Sequence, residues 1–373
     1  MPADILLNGI AMLLHHRARA HLAHLRRRIT AGVQTFLLAA ALACATHSHA
    51  DQPVALRVIG GFGNVAQYKQ YEEPFWTTRL PVLSGGRITA NIRPFDQASI
   101  RAVDMLHLMR IGVVPFGNGL FSIVATDDPQ LNGLDLPALS PTISDARRVL
   151  EAYRPHLRQV LAERYNIELL GVYTYSAQVL FCSHPFRGLD DLAGRKIRTS
   201  SVGQSELLRA LGANPVQLPF AEILSAVSQG VVDCAVTGAL SGAEIGLPRV
   251  MTHVHAMALS WGMSFFGANR DVWVALSSEL QDVIRAGVAE LEAQIWSAAD
   301  DDTQRILAPA QGRGEPKASA TTVVPASTAD EVLRRRLVLE TVLPSWFQRC
   351  GGECEEAWEH VLAPVVLKKQ TLR

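Results

Sequence analysis

The chain lacks a net charge. Its 35 lysines and arginines are balanced by 35 aspartates and glutamates, and the pI is near 7.2. This removes the global electrostatic reason for a nucleic-acid partner, and none is expected. Long apolar runs are missing too. Phe36-Leu-Leu-Ala-Ala-Ala-Leu-Ala43 is short and alanine-rich, whereas a membrane span needs about 20 apolar residues. There are five cysteines, with no second close pair beside Cys350 and Cys354 to complete a zinc site. His253 and His255 stand two apart without further ligands. Thr199-Ser-Ser201 has no Gly-x-Ser-x-Gly elbow around it, and Asp233 has no His or second acid in motif relation to it. No catalytic residue, metal or cofactor is therefore expected. Internal repeats and heptads are absent.

What remains is an ordinary globular composition, 48% hydrophobic and 19% charged, in 373 residues. That length accommodates two domains and a large core. Arg26-Arg-Arg28, the apolar run that follows, and Ser48-His-Ala50 at small-residue cleavage positions together describe a secretory signal peptide over residues 1–50. Sequence before about Met12 reads as an over-long start. Cys44 invites a lipid anchor, but Ala41-Leu-Ala-Cys44 has no leucine three positions before the cysteine, which favours periplasmic release. In an oxidising compartment the four later cysteines have three possible pairings. The glycine pair in Cys350-Gly-Gly-Glu-Cys354 makes Cys350–Cys354 the preferred disulfide, while Cys182 and Cys234 in apolar strands are expected as buried thiols.

The chemistry-bearing stretch runs from Phe186 to Gly238. Lys196-Ile-Arg-Thr199 is a short strand; Gln204 to Leu211 has helical spacing and stops at Gly212; Val216 to Pro219 is a second strand. Phe220 to Gln229 is a second amphipathic helix, closed by Gly230, and Val231 to Val236 is a third strand. Alternating strands and helices with short connections predict a parallel sheet of crossover units. Ligands of such sheets sit beyond the carboxyl ends of the strands. This places Arg198, Thr199 and Ser200 at one mouth, Thr237 and Gly238 at another.

Elsewhere the spacing predicts helices over residues 68–82, 98–110 and 145–163, and a long apolar strand region over 167–180 with a hinge near Tyr173 to Ala177. Ser278 and Gln281 suggest a capping box, opening a helix through about Leu307 with Leu280, Ile284, Val288, Leu291 and Ile295 in its buried stripe. Gly61-Phe-Gly-Asn-Val-Ala66 follows a strand and matches a dinucleotide fingerprint, but the next strand ends in Arg93, with no acid for a ribose. The glycines are better explained as a tight turn beside a ligand.

Four motifs in one order then carry a family resemblance: Asp191-Leu-Ala-Gly-Arg-Lys-Ile-Arg-Thr199, Ala210-Leu-Gly-Ala-Asn-Pro-Val216, Pro219-Phe-Ala-Glu222 and Gln229-Gly-Val-Val-Asp233. The chain resembles the solute-binding proteins of tripartite ATP-independent periplasmic (TRAP) transporters, of the dicarboxylate (DctP-like) type, over about residues 54–305. The resemblance implies an α/β, two-lobed periplasmic-binding-protein-like fold with a hinge and a long helix bridging both lobes. Lobe I is expected over 51–175 and about 264–290, lobe II over 176–263, and the bridging helix over 276–307. A flexible loop (309–328) and a C-terminal helical segment (329–373) packed on lobe II complete the expectation.

In that family the arginine of the Lys-Ile-Arg motif, Arg198 here, grips the ligand's carboxylate. A guanidinium presents parallel donors that match a carboxylate; pairing with Glu222 or Asp233 is the alternative. Many members carry a second arginine where this chain has Gln178, and asparagine where it reads Cys234-Ala-Val-Thr-Gly238. Gln178 and Thr237 add polar contacts, which leaves one or two ligand carboxylates open. Trp261, Phe62 and Phe220 are candidate walls for an aromatic or branched acid, or else core packing. The expected function is capture of a small organic acid and delivery to TRAP permease subunits, by a monomer that is not an enzyme. The alternatives are a secreted nucleotide- or phosphate-using enzyme built on Gly61-Phe-Gly63, and a ligand-reporting protein for a sensor kinase.

Overall fold

The computed structural model describes residues 52–308 and 321–367; the expected signal peptide with Cys44, residues 309–320 of the expected loop and residues 368–373 lie outside them. Two sheets carry the described residues. Along the sequence the strands are β1 (Val54–Gly60), β2 (Ile88–Pro94), β3 (Phe116–Leu120), β4 (Ile167–Tyr173), β5 (Gln178–Cys182), β6 (Lys196–Thr199), β7 (Asn214–Gln217), β8 (Cys234–Gly238), β9 (His253–His255), β10 (Ser264–Asn269) and β11 (Thr322–Val324). The first sheet has the order β2-β1-β3-β10-β4 and the second β11-β9-β5-β8-β6-β7. This is the α/β, two-lobed architecture that the motifs imply.

The crossover units form where the alternation placed them, since β6 pairs in parallel with both β7 and β8. Between β6 and β7 runs a helix, Val202–Ala210, capped by the Ser201 hydroxyl, which accepts the Gln204 N–H at 3.2 Å. It closes at Gly212, whose φ of +74° suits a residue without a Cβ. The third strand starts at Cys234 rather than Val231. The amides of Val231 and Val232 are spent on the Ala226 carbonyl, finishing the preceding helix, and strand bonding begins when the Asp233 N–H meets the Lys196 carbonyl at 2.8 Å. A second difference lies at 98–110: Ser99 is left-handed (φ +57°), and regular helix forms only over Met105–Arg110.

Two short crossings between the sheets, at 174–177 and at 256–263, lie side by side. The Tyr175 N–H donates to the Trp261 carbonyl at 3.2 Å, and the Gln178 N–H to that of Ser260 at 2.8 Å. The long helix, Ser278–Leu307, has 30 residues, about 45 Å at 1.5 Å per residue. It packs on β4 and on the helix Ala239–Glu244 that follows β8. Its cap is one residue earlier than the expected box: the Ser277 hydroxyl accepts the Leu280 N–H, while the Gln281 amide donates to the Trp273 and Leu276 carbonyls. Beneath it Ile284, Val288, Leu291 and Ile295 cover an aromatic layer of Trp76, Phe116, Tyr173 and Phe266.

Three further expectations need correction. Residues 322–324 of the expected loop form β11, parallel to β9, because β9 offers a free sheet edge. The C-terminal helices hold both lobes rather than the second alone. Asp330 accepts the Leu189 N–H at 2.7 Å and Arg349 pairs with Glu206, but the Trp346 indole donates to the Pro129 carbonyl at 2.7 Å. Cys182 and Cys234 are not thiols; they are disulfide-bonded, because antiparallel β5 and β8 place them directly opposite, Cα to Cα 4.1 Å. Cys350 and Cys354 also form a disulfide.

Candidate ligand-binding cleft

A cavity of about 720 Å³ opens where the carboxyl ends of β6 and β8 face the loop after β1. Of the residues singled out from sequence, Arg198, Gln178, Thr237, Phe62 and Phe220 line it. Trp261 does not. Its backbone N–H donates to Asp135 Oδ1 at 2.8 Å and its indole N–H to the Ser140 carbonyl at 3.0 Å, so the ring is a packed part of the second crossing.

Arg198 is 3% exposed. Nε donates to the Leu218 carbonyl at 2.9 Å and Nη1 to that of Val236 at 2.7 Å. Neither Glu222 nor Asp233 pairs with it; Asp233 accepts the Lys196 N–H at 2.8 Å, a strand-closing contact. Among the described residues no ion pair includes Arg198. Burial pushes its guanidinium down to about 10, still charged at neutral pH. A buried cation without a counter-ion is costly, and the cost falls when an anion arrives. The backbone carbonyls hold the plane of the fork by two of its nitrogens and leave Nη2 for that anion.

Some of the polar residues beside Arg198 come from a source that spacing missed. Ser200, Ser201 and Gln204, at the start of helix Val202–Ala210, line the cavity, so the positive end of this helix opens on it. The Gln204 Oε1 accepts the Ser200 N–H at 2.9 Å, and its amide reaches the Ser260 hydroxyl at 3.3 Å. The strand-mouth rule pointed to Ser200; Gln204 and Ser260 had no sequence signal, because their meeting depends on how the second crossing lies over the helix. Gln178 is half-buried and donates its amide to the Ser176 carbonyl at 3.2 Å. Thr237 is buried on β8.

The loop after β1 answers the nucleotide alternative. The Gly61 N–H donates to Glu72 Oε2 at 2.8 Å and the Gly63 N–H to Asp96 Oδ1 at 3.1 Å. Amides that would cradle a phosphate are occupied by the chain's own carboxylates, which would also repel one. Asp233, His253 and His255 have structural places. His255 lies in β9, where its Nδ1 accepts the Met257 N–H at 3.2 Å and its Nε2 is 3.4 Å from Asp330.

Asp135 had no role in the sequence reading, yet it lines the cavity and binds the second crossing. Its carboxylate accepts the N–H groups of Trp261 (2.8 Å) and Met263 (2.9 Å). Burial outweighs those bonds and pushes its pKa up to about 6. A folded pKa above the unfolded one gives stability that is complete below the unfolded value and lost as pH rises through the folded value. The denaturation midpoint should therefore fall between about pH 4 and pH 6 on this account, and Asp135→Asn should flatten that fall. Urea titrations of both proteins at half-unit pH steps measure it; an unchanged slope would show that Asp135 ionises normally.

Comparisons with known proteins bear on this geometry. The profile of the family described as bacterial extracellular solute-binding protein, family 7 (DctP), matches residues 67–329. The ectoine-binding periplasmic protein TeaA of Halomonas elongata is 25% identical over 189 residues, 49% of this chain and 54% of TeaA. The chain thus spans about half the length of the first curated relatives it matches. A TRAP periplasmic solute-binding protein from Rhodoferax ferrireducens with bound malonate superposes with a TM-score of 0.71 at 20% identity, covering 85% of this chain and 99% of that one. One from Desulfovibrio salexigens with bound orotic acid does so with a TM-score of 0.71 at 18% identity, covering 84% and 99%. At such identities the likeness concerns the fold.

Proposed function

Because the chain belongs to family 7 of the bacterial extracellular solute-binding proteins, we propose that it captures a small organic acid in the cavity between its sheets and delivers it to the membrane subunits of a TRAP transporter. The observation that carries this reading is Arg198: buried, charged, held in orientation by two backbone carbonyls and without a carboxylate partner among the described residues. The malonate and orotate held by the two structural relatives are carboxylates, the chemistry such a fork fits. In this reading the protein works as a monomer in the periplasm, without cofactor, turnover or nucleic acid.

Closure has a physical basis. The Ala66 N–H after β1 donates to Glu244 Oε1, in the helix after β8, at 2.9 Å, and the Phe62 ring lies 5.1 Å from that of Phe220. Contacts of this kind exist only when the sheets approach. A ligand touching both sides shifts the population toward the closed form by its differential affinity for it. Calorimetric titration of residues 51–373 with mono- and dicarboxylic acids tests the reading. One acid should bind with a stoichiometry of one and raise the unfolding temperature. Absence of binding across the panel, or turnover of an acid, would overturn it.

A further inference from the structure

The cavity is electrically one-sided. Of its two basic lining residues, Arg198 alone is buried; Arg101 is exposed and closes a fork on Asp104, both N···O distances 2.7 Å. Asp96 and Asp135 also line it. A second carboxylate on a ligand would find no second buried cation among the described lining residues, and Asp96 and Asp135 would oppose it. One negative charge is neutralised here, and a further one would be desolvated without compensation.

Beside these charges and the hydroxyl and amide groups already described, the wall carries an aromatic cluster. The ring centroids of Phe62 and Phe95 are 4.7 Å apart, edge to face, and those of Phe62 and Phe220 are 5.1 Å apart. Phe62 follows β1 and Phe95 follows β2, both in the first sheet, whereas Phe220 follows β7 in the second. The cluster therefore straddles the cleft. Phe95 is buried, but Phe62 and Phe220 keep part of their surface open, and both line the cavity. Ile100, Leu120 and Ile123 continue the apolar wall. Charge and rings line the same cavity, and the Leu218 carbonyl that orients the Arg198 guanidinium stands two residues before Phe220.

We infer that the ligand is an aromatic monocarboxylate, with its carboxylate on Arg198 and its ring against Phe62 and Phe220. This rests on the preceding reading that Arg198 receives a carboxylate, and it names the class. A flat ring meets the half-open phenylalanines in the edge and offset contacts that aromatic pairs prefer. By touching one ring from each sheet, it also ties ligand shape to closure. Phe62 and Phe220 are then the specificity-determining residues, and Arg198 is the anchor common to any acid.

The test is calorimetric titration of residues 51–373 with benzoate, phenylacetate, cyclohexanecarboxylate, malonate and succinate, repeated on Phe220→Leu and Phe62→Leu after thermal unfolding shows both variants folded. Benzoate or phenylacetate should bind at least about tenfold tighter than cyclohexanecarboxylate and than either dicarboxylate, a ratio set by aromatic contact beyond simple burial. Each leucine variant should shrink that ratio toward one. Malonate or succinate binding as tightly as the aromatic acids would overturn the aromatic class while leaving the acid-binding reading intact. A ratio unchanged in both variants would remove the two phenylalanines from the site. No binding of any acid would overturn the reading beneath as well.

Discussion

Replacing Arg198 by alanine is expected to abolish measurable acid binding. Truncating one partner of a buried, charge-assisted pair costs on the order of 2–5 kcal/mol, about thirty-fold to several thousand-fold in affinity. The variant leaves the ligand's carboxylate facing the Leu218 and Val236 carbonyls that now hold the guanidinium, so repulsion adds to the lost attraction. Arg198→Lys keeps a charge but not the planar fork, and should recover only part of the loss. Calorimetric titration of each variant with the acid that wild type binds measures this. Thermal unfolding of the ligand-free proteins separates loss of the site from loss of the fold. Equal binding by wild type and Arg198→Ala would show that the arginine serves only the strands it touches.

Breaking the Cys182–Cys234 bridge should be the largest single loss of stability. The bond closes a loop of 52 residues, and loop-closure entropy gives about 4 kcal/mol for a loop of that size, against about 2 kcal/mol for one of five residues. Cys350 and Cys354 are separated by 4. The double variant Cys182→Ala, Cys234→Ala should therefore lower the denaturant midpoint well below that of Cys350→Ala, Cys354→Ala. A thiol titration of unreduced, denatured protein (residues 51–373) should find no free cysteine. Two free thiols with an unmoved midpoint in the first double variant would refute the bridge.

The bridge also shows where sequence reasoning stops. Val179 to Phe181 and Ala235-Val236 are apolar, and apolar context alone favours a buried thiol. What joins the cysteines is register: β5 and β8 run antiparallel with Cys182 opposite Cys234. No local pattern states which strands from different parts of the chain will pair. The same limit explains the free edge of β9, which takes up Thr322–Val324 from a stretch whose composition suggests only a loop.

Local signals, by contrast, were sufficient for the scaffold of the site. Glycine stops after two short helices, apolar strands and the Lys-Ile-Arg motif placed Arg198 at a strand mouth, because capping, periodicity and side-chain charge act over a few residues. The same signals found the 30-residue helix within one residue at its start. Contacts decided by distant segments needed the folded chain. Trp261 left the list of cavity walls because Asp135 and Ser140, more than a hundred residues earlier, claim its N–H groups. Asp135, Gln204 and Ser260 joined the site, since a cleft wall depends on how two crossings and a helix end lie together. The sequence thus determined the elements and the strand-end arginine, while tertiary structure decided which side chains surround that arginine. The physical reason is range: helix and turn preferences are settled between neighbours, whereas burial, register and the shape of a cavity arise only when remote segments exclude water together.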